Sequence, residues 1–153
     1  MTSRLLLKVT CAAEAPERAN QAFTVAAAAC AAGAEVSLWL TGDAAWWAVP
    51  GKGPDLGLEH ARPVEDLLAI VLDMGRVTLC SQCAERRRIT AEDLRPGVRI
   101  AGAASFVEEA LDDPQARDAL GRALVADLLS EWRDQGRTVL LNSHLLGEVE
   151  RVC

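Results

Sequence analysis

Four short apolar runs, each closed by a turn signal and separated from the next by helical periodicity, constrain this chain more than any other feature. They are RLLLKVT (Arg4 to Thr10), AEVSLWLT (Ala34 to Thr41), RVTLC (Arg76 to Cys80) and VRIAG from Val98. Their length and content of Leu, Val and Ile suit buried strands. Between the first two, Pro16 opens and Gly33 closes a helix whose Ala19, Phe23, Ala26, Ala27 and Cys30 share one face. Between the second and third come a short helical turn from Ala44 to Val49 and a Gly- and Pro-containing loop from Pro50 to Arg62. A helix opened by Pro63 and stopped by Gly75 follows, with Val64, Leu67, Leu68, Val71 and Leu72 as its apolar stripe. Ser81 to Arg88 reads as the next helical segment, Thr90 as an N-cap and Pro96-Gly97 as a turn. Ala103 to Leu111 is a further helix, with Phe106, Val107 and Leu111 expected to face inward.

Strands alternating with helices predict an α/β fold with a mostly parallel sheet, because each crossover must carry the chain back over the sheet. Right-handed crossovers make such a sheet doubly wound. Sites in these folds form at the carboxyl ends of the strands, near the point where strand order reverses. Cys11 ends the first strand and Cys80 the third. In the common order 2-1-3 those strands are neighbours, so the two sulfurs are expected side by side on one edge.

With 153 residues, half of them hydrophobic, the chain can bury one substantial core. It lacks both a stretch of about twenty uncharged apolar residues and an N-terminal run long enough for a secretory signal, so a cytoplasmic, non-membrane protein is expected. Five cysteines, an odd number at irregular spacing, describe no disulfide framework there. A net charge of −6 offers no footprint for nucleic acid. The basic run Arg86-Arg87-Arg88 reads as a solvated helix face.

The chemistry-bearing motif is Cys80-Ser81-Gln82-Cys83, at a strand-to-helix junction. A thiol reacts as its thiolate, which helix amides and nearby cations favour. Cys80 is therefore a candidate nucleophile. Cys83, about one helical turn on, is placed to resolve an oxidised or persulfidated Cys80. Other readings stay open at this point. Both thiols can be small buried hydrophobes. A zinc site would need a second close pair of ligands, and only His60 and His144 are present, each isolated. A thioredoxin-like pair would need antiparallel strands and an opposing proline loop, for which there is no candidate.

The segment PERANQAFTVAAAACAAGAEVSLWLTGDAAWWAVPG, followed by VTLCSQCAERRRITAEDLRPGVRIAGAASFVEEAL, resembles the DsrE/DsrF-like family of small sulfur-relay proteins over about residues 1–113. The order of elements, LTGDA after the second strand and the cysteine ending the third carry the likeness together. The resemblance implies a three-layer αβα flavodoxin-like fold and assembly into trimers or hexamers. It also implies a cysteine that receives persulfide sulfur from a donor protein and hands it to an acceptor. Cys80 matches that cysteine, and Cys83 matches a second one found in part of the family. Cys11 is the expected neighbouring thiol. Persulfide exchange asks for a reachable thiolate and a docking surface, with no metal or organic cofactor. A non-catalytic oligomeric interaction module with structural cysteines is the alternative from another class.

Residues 114–153 depart from the family pattern, which usually ends soon after FVEEAL. They read as a helix with Leu120, Leu124, Leu128 and Trp132, a stop at Gly136, a strand from Thr138 to Leu141 and a terminal helix. This segment resembles the end of an ABC-transporter ATPase domain, with His144 at the position of the γ-phosphate histidine. The phosphate loop and the acidic strand of an ATPase are absent from the sequence, so ATP hydrolysis is not expected. Thr138 to Leu141 is expected either to close the sheet of the 1–113 body or to belong to an appended piece.

Overall fold

The computed structural model describes residues 3–111 and 139–141. The chain alternates β1 (Arg4–Val9), α1 (Pro16–Ala31), β2 (Glu35–Leu40), α2 (Val64–Met74), β3 (Arg76–Cys80), α3 (Ser81–Arg87), β4 (Val98–Ala101), α4 (Ala103–Ala110) and β5 (Val139–Leu141). Short 3₁₀ segments at Gly42–Ala48 and Ala91–Asp93 lie between them. All strand pairs are parallel, in the order β4-β3-β2-β1-β5. This is an α/β flavodoxin-like architecture.

The helix boundaries follow from local chemistry. Pro16 sits in the first turn of α1, where its missing N–H costs nothing, and Gly33 takes φ +83 just beyond the end. Thr90 and Asp93 form a capping box over the second 3₁₀ segment, with the Asp93 carboxylate accepting from the Thr90 N–H and hydroxyl at 2.8 Å each. Those two bonds hold the Asp93 carboxyl below its ordinary range.

Alternation along the strands sorts side chains onto two faces. Leu7, Val9, Val36, Leu38, Leu40, Val77 and Leu79 join one apolar core with Phe23, Ala26 and Cys30 of α1 and Leu67, Leu68 and Val71 of α2. The Phe23 and Trp47 rings meet edge to face within it at 4.9 Å. The other face carries Lys8, Ser37, Trp39, Thr78 and Arg99, and α4 covers part of it. There Phe106 meets Trp39 edge to face at 5.3 Å, and the Lys8 ammonium lies 5.3 Å from the Phe106 ring centre. The inward expectation for α4 holds for Leu111, which is 2 % exposed, but not for Val107, which is 37 % exposed. Phe106 and Glu109, three residues apart, are the pair that faces the sheet, and Val107 is turned about 100° away from Phe106.

Strand order also differs from expectation. The first three crossovers step in one direction, so β2 lies between β1 and β3, and β5 occupies the far side of β1 in register Leu6 with Val139. Reversal of strand order is therefore at β1 and β5. A 2-1-3 order requires the return connection right after β2, whereas here it follows β4.

Candidate functional site

Cys80 is the last residue of β3 and the N-cap residue of α3, paired in register with Ala101 of β4. Its side chain accepts no capping hydrogen bond, and the residue is half-buried. Cys83 is one turn further on, 7 % exposed, and turned into the core beside Ala84. The two thiols interact electrostatically, and both are free. Burial pushes the Cys83 thiol above the ordinary range, and the contact with Cys80 pushes the same way. Cys83 is thus held as a neutral thiol beside the more open Cys80.

The loop after β2 supplies the rest of the setting. The Gly42 N–H donates to Cys83 Sγ at 3.2 Å. Asp43 accepts from Arg87 Nη2 at 2.6 Å, while Arg87 Nη1 donates to the Cys83 carbonyl at 3.4 Å. The Gly42–Cys83 and Asp43–Arg87 bonds tie α3 to this loop, and the amide and the guanidinium favour the ionised form of Cys83, against burial. Gly42 is required there. Its φ is +52, and a Cβ would fall 2.3 Å from the Thr10 carbonyl oxygen. Of the three consecutive arginines, Arg87 is committed to this latch, and Arg86 and Arg88 are exposed. Arg88 takes φ 56 and ends α3 in the left-handed conformation.

Cys11 lies beyond β1 at the same carboxyl edge, but β2 intervenes and Cys11 is 1 % exposed within the core. The expected adjacency of Cys11 and Cys80 on neighbouring strands is therefore corrected. Cys30 is 1 % exposed on the packing face of α1, its thiol raised by burial. His60 is exposed, in the left-handed region at φ 61. His144 and Cys153 lie outside the described residues. Among the described residues, no three His, Cys, Asp or Glu side chains gather closely enough to hold a metal ion.

Gly42 and Asp43 were legible only as a turn and as part of LTGDA; their link to α3 spans more than 40 positions. Next to Asp43, a cleft of about 600 Å³ is lined by Ala12, Glu14, Trp46, Lys52 and Pro54. A second cleft, of about 310 Å³, lies at the opposite, amino end of the sheet among Arg4, Arg76, Arg99, Glu35 and Glu109.

The sequence pattern of the DsrE/DsrF-like family matches residues 4–114. The crystal structure of the YchN protein from E. coli superposes with a TM-score of 0.59 at 19 % identity, covering 74 % of this chain and 96 % of that one. This likeness speaks for the fold. A stretch of 44 residues is 41 % identical to an uncharacterized ABC transporter ATP-binding protein of Synechocystis, covering 28 % of this chain. The chain spans 12 % of that relative's length. No helix among the described residues is long and apolar enough to cross a membrane.

Proposed function

The chain belongs to the DsrE/DsrF-like family, and from that premise we propose that it is a cytoplasmic sulfur carrier whose Cys80 accepts persulfide sulfur from a donor protein and passes it to an acceptor. The observation that carries this reading is the contrast among the thiols. Cys80 alone of the four described cysteines is not buried, and it ends a strand at the carboxyl edge of the parallel sheet. In this role Cys83 assists, because a neutral thiol beside Cys80 can donate to the outer sulfur of a persulfide held there. Each transfer forms one S–S bond and breaks another, so no metal or organic cofactor takes part. A homo-oligomer, trimer or hexamer, accords with the family.

Residues 114–153 act in this reading as an extension of the 1–113 body, and the pairing of Val139–Leu141 with β1 supports their supplying the closing strand. Proteolysis that removes everything after about residue 113 and leaves a folded body would contradict that assignment.

Intact-protein mass spectrometry after exposure to a persulfide donor is the test. One added sulfur is expected on the native chain, retained in Cys11→Ser and lost in Cys80→Ser. The burial of Cys11, Cys30 and Cys83 favours a second reading, an oligomeric interaction module with structural cysteines. That reading gains if alkylation labels Cys80 only after denaturation.

A further inference from the structure

We propose that Cys83 also unloads Cys80: when no acceptor is docked, its sulfur attacks the inner sulfur of the Cys80 persulfide, releasing hydrosulfide and leaving a Cys80–Cys83 disulfide. This rests on the reading that Cys80 carries persulfide. It gives the protein a second output, hydrosulfide.

Three features point to it. Cys80 and Cys83 are both free, at the N-cap and the third residue of α3, and residues three apart on one helical turn have Cα atoms about 5 Å apart, inside the range that a disulfide spans. Cys83 is 7 % exposed, so an external acceptor does not reach it, whereas an attack from within the chain needs no access from solvent. The third feature is the Gly42 N–H, which donates to Cys83 Sγ at 3.2 Å and stabilises negative charge on that atom as it becomes the nucleophile.

The step balances without an oxidant. The persulfide S–S bond breaks and its electron pair leaves on the outer sulfur as hydrosulfide. A lone pair of Cys83 forms the new S–S bond, and the thiol proton of Cys83 goes to the hydrosulfide or to solvent. A persulfide already stands at the oxidation level of a disulfide. Resetting the pair consumes a dithiol reductant. The charged and titratable groups at Cys83 are Arg87 on its own helix, Asp43 of the β2 loop through its pair with Arg87, and Cys80. Burial outweighs the cationic and amide contacts and keeps Cys83 protonated near neutrality.

The full chain is loaded with inorganic polysulfide, desalted and held without oxygen or acceptor. The expected course is loss of the added sulfur, a final mass two hydrogens below that of the reduced protein, and one equivalent of hydrosulfide per chain. Dithiothreitol then restores the reduced mass. Cys83→Ser and Cys83→Ala should keep the added sulfur at least about tenfold longer. The wild-type disulfide and hydrosulfide do not depend on either variant folding. A loaded wild-type chain that forms no disulfide, or variants that release hydrosulfide at the wild-type rate, would overturn unloading while leaving the carrier reading intact. A chain that never loads contradicts the carrier reading, and this one with it.

Discussion

The two faces of the sheet are built by opposite means from the same strands. Toward α1 and α2, Leu7, Leu38 and Val77 stand in register across three strands and pack into one apolar core. On the other face, Lys8, Trp39, Thr78 and Arg99 stand in register, and polar contacts dominate. The Glu109 carboxylate of α4 accepts from the Ser37 hydroxyl at 2.5 Å, from Trp39 Nε1 at 3.1 Å and from Arg99, while Arg99 Nε donates to Thr78. Arg76 stands 3.8 Å from the same carboxylate. The difference teaches where not to look for chemistry. The charged cleft at the amino end of the sheet is a network satisfied by its own carboxylate, whereas the half-open thiol is at the opposite edge, on the end of a strand.

The sharpest way to break this contrast is to cut each face at its centre. Leu38→Ala should cost about 3 kcal/mol, because the side chain is fully buried and its neighbours collapse only partly into the space left. Urea unfolding midpoints would show it. Glu109→Ala should cost less, about 2 kcal/mol, by leaving the Ser37 hydroxyl and the Trp39 indole N–H without their acceptor. A change in the near-UV circular dichroism of Trp39 should accompany the loss. If Glu109→Ala proved as costly as Leu38→Ala, the polar face would be a second core and the contrast would fail.

A smaller effect separates the faces by pH. Cys30 and Cys83 belong to the apolar side, and burial raises both thiols. Above about pH 8.5 the unfolded chain releases these protons first. It then binds fewer protons than the folded chain, so stability falls as pH rises through the alkaline range, and these two thiols add no pH dependence below it. Denaturant midpoints between pH 7 and pH 10 should show this decline, shallower in Cys30→Ala. The smallest effect belongs to the rim. Arg4 and Glu35 pair at 3.0 Å with more than half of each side chain in solvent, so Glu35→Gln should change stability by less than about 1 kcal/mol.

Local chemistry made the elements legible in the sequence. Pro16, Gly33, Pro63 and Gly75 mark helix ends, and β3 occupies the whole of Arg76 to Cys80 as its composition indicates. Strand order was not legible, since no local signal distinguishes a crossover that continues in one direction from one that returns. Val107 shows a similar limit, because a helix covering a sheet on one side buries a narrow stripe that Phe106 and Glu109 already fill. The thiol pair was legible from its spacing. Its support was not, because Gly42 and Asp43 reach α3 only after the chain has folded through α2 and β3.

Whether Cys80 carries sulfur is tested most directly by cyanolysis of the donor-treated chain immediately after rapid desalting, before Cys83 unloads it, with thiocyanate counted per protein. One equivalent of cyanide-labile sulfur is expected in the native protein and none in Cys80→Ser. No labile sulfur in the native chain, or an equal amount in the Cys80→Ser variant, would contradict a carrier role for Cys80.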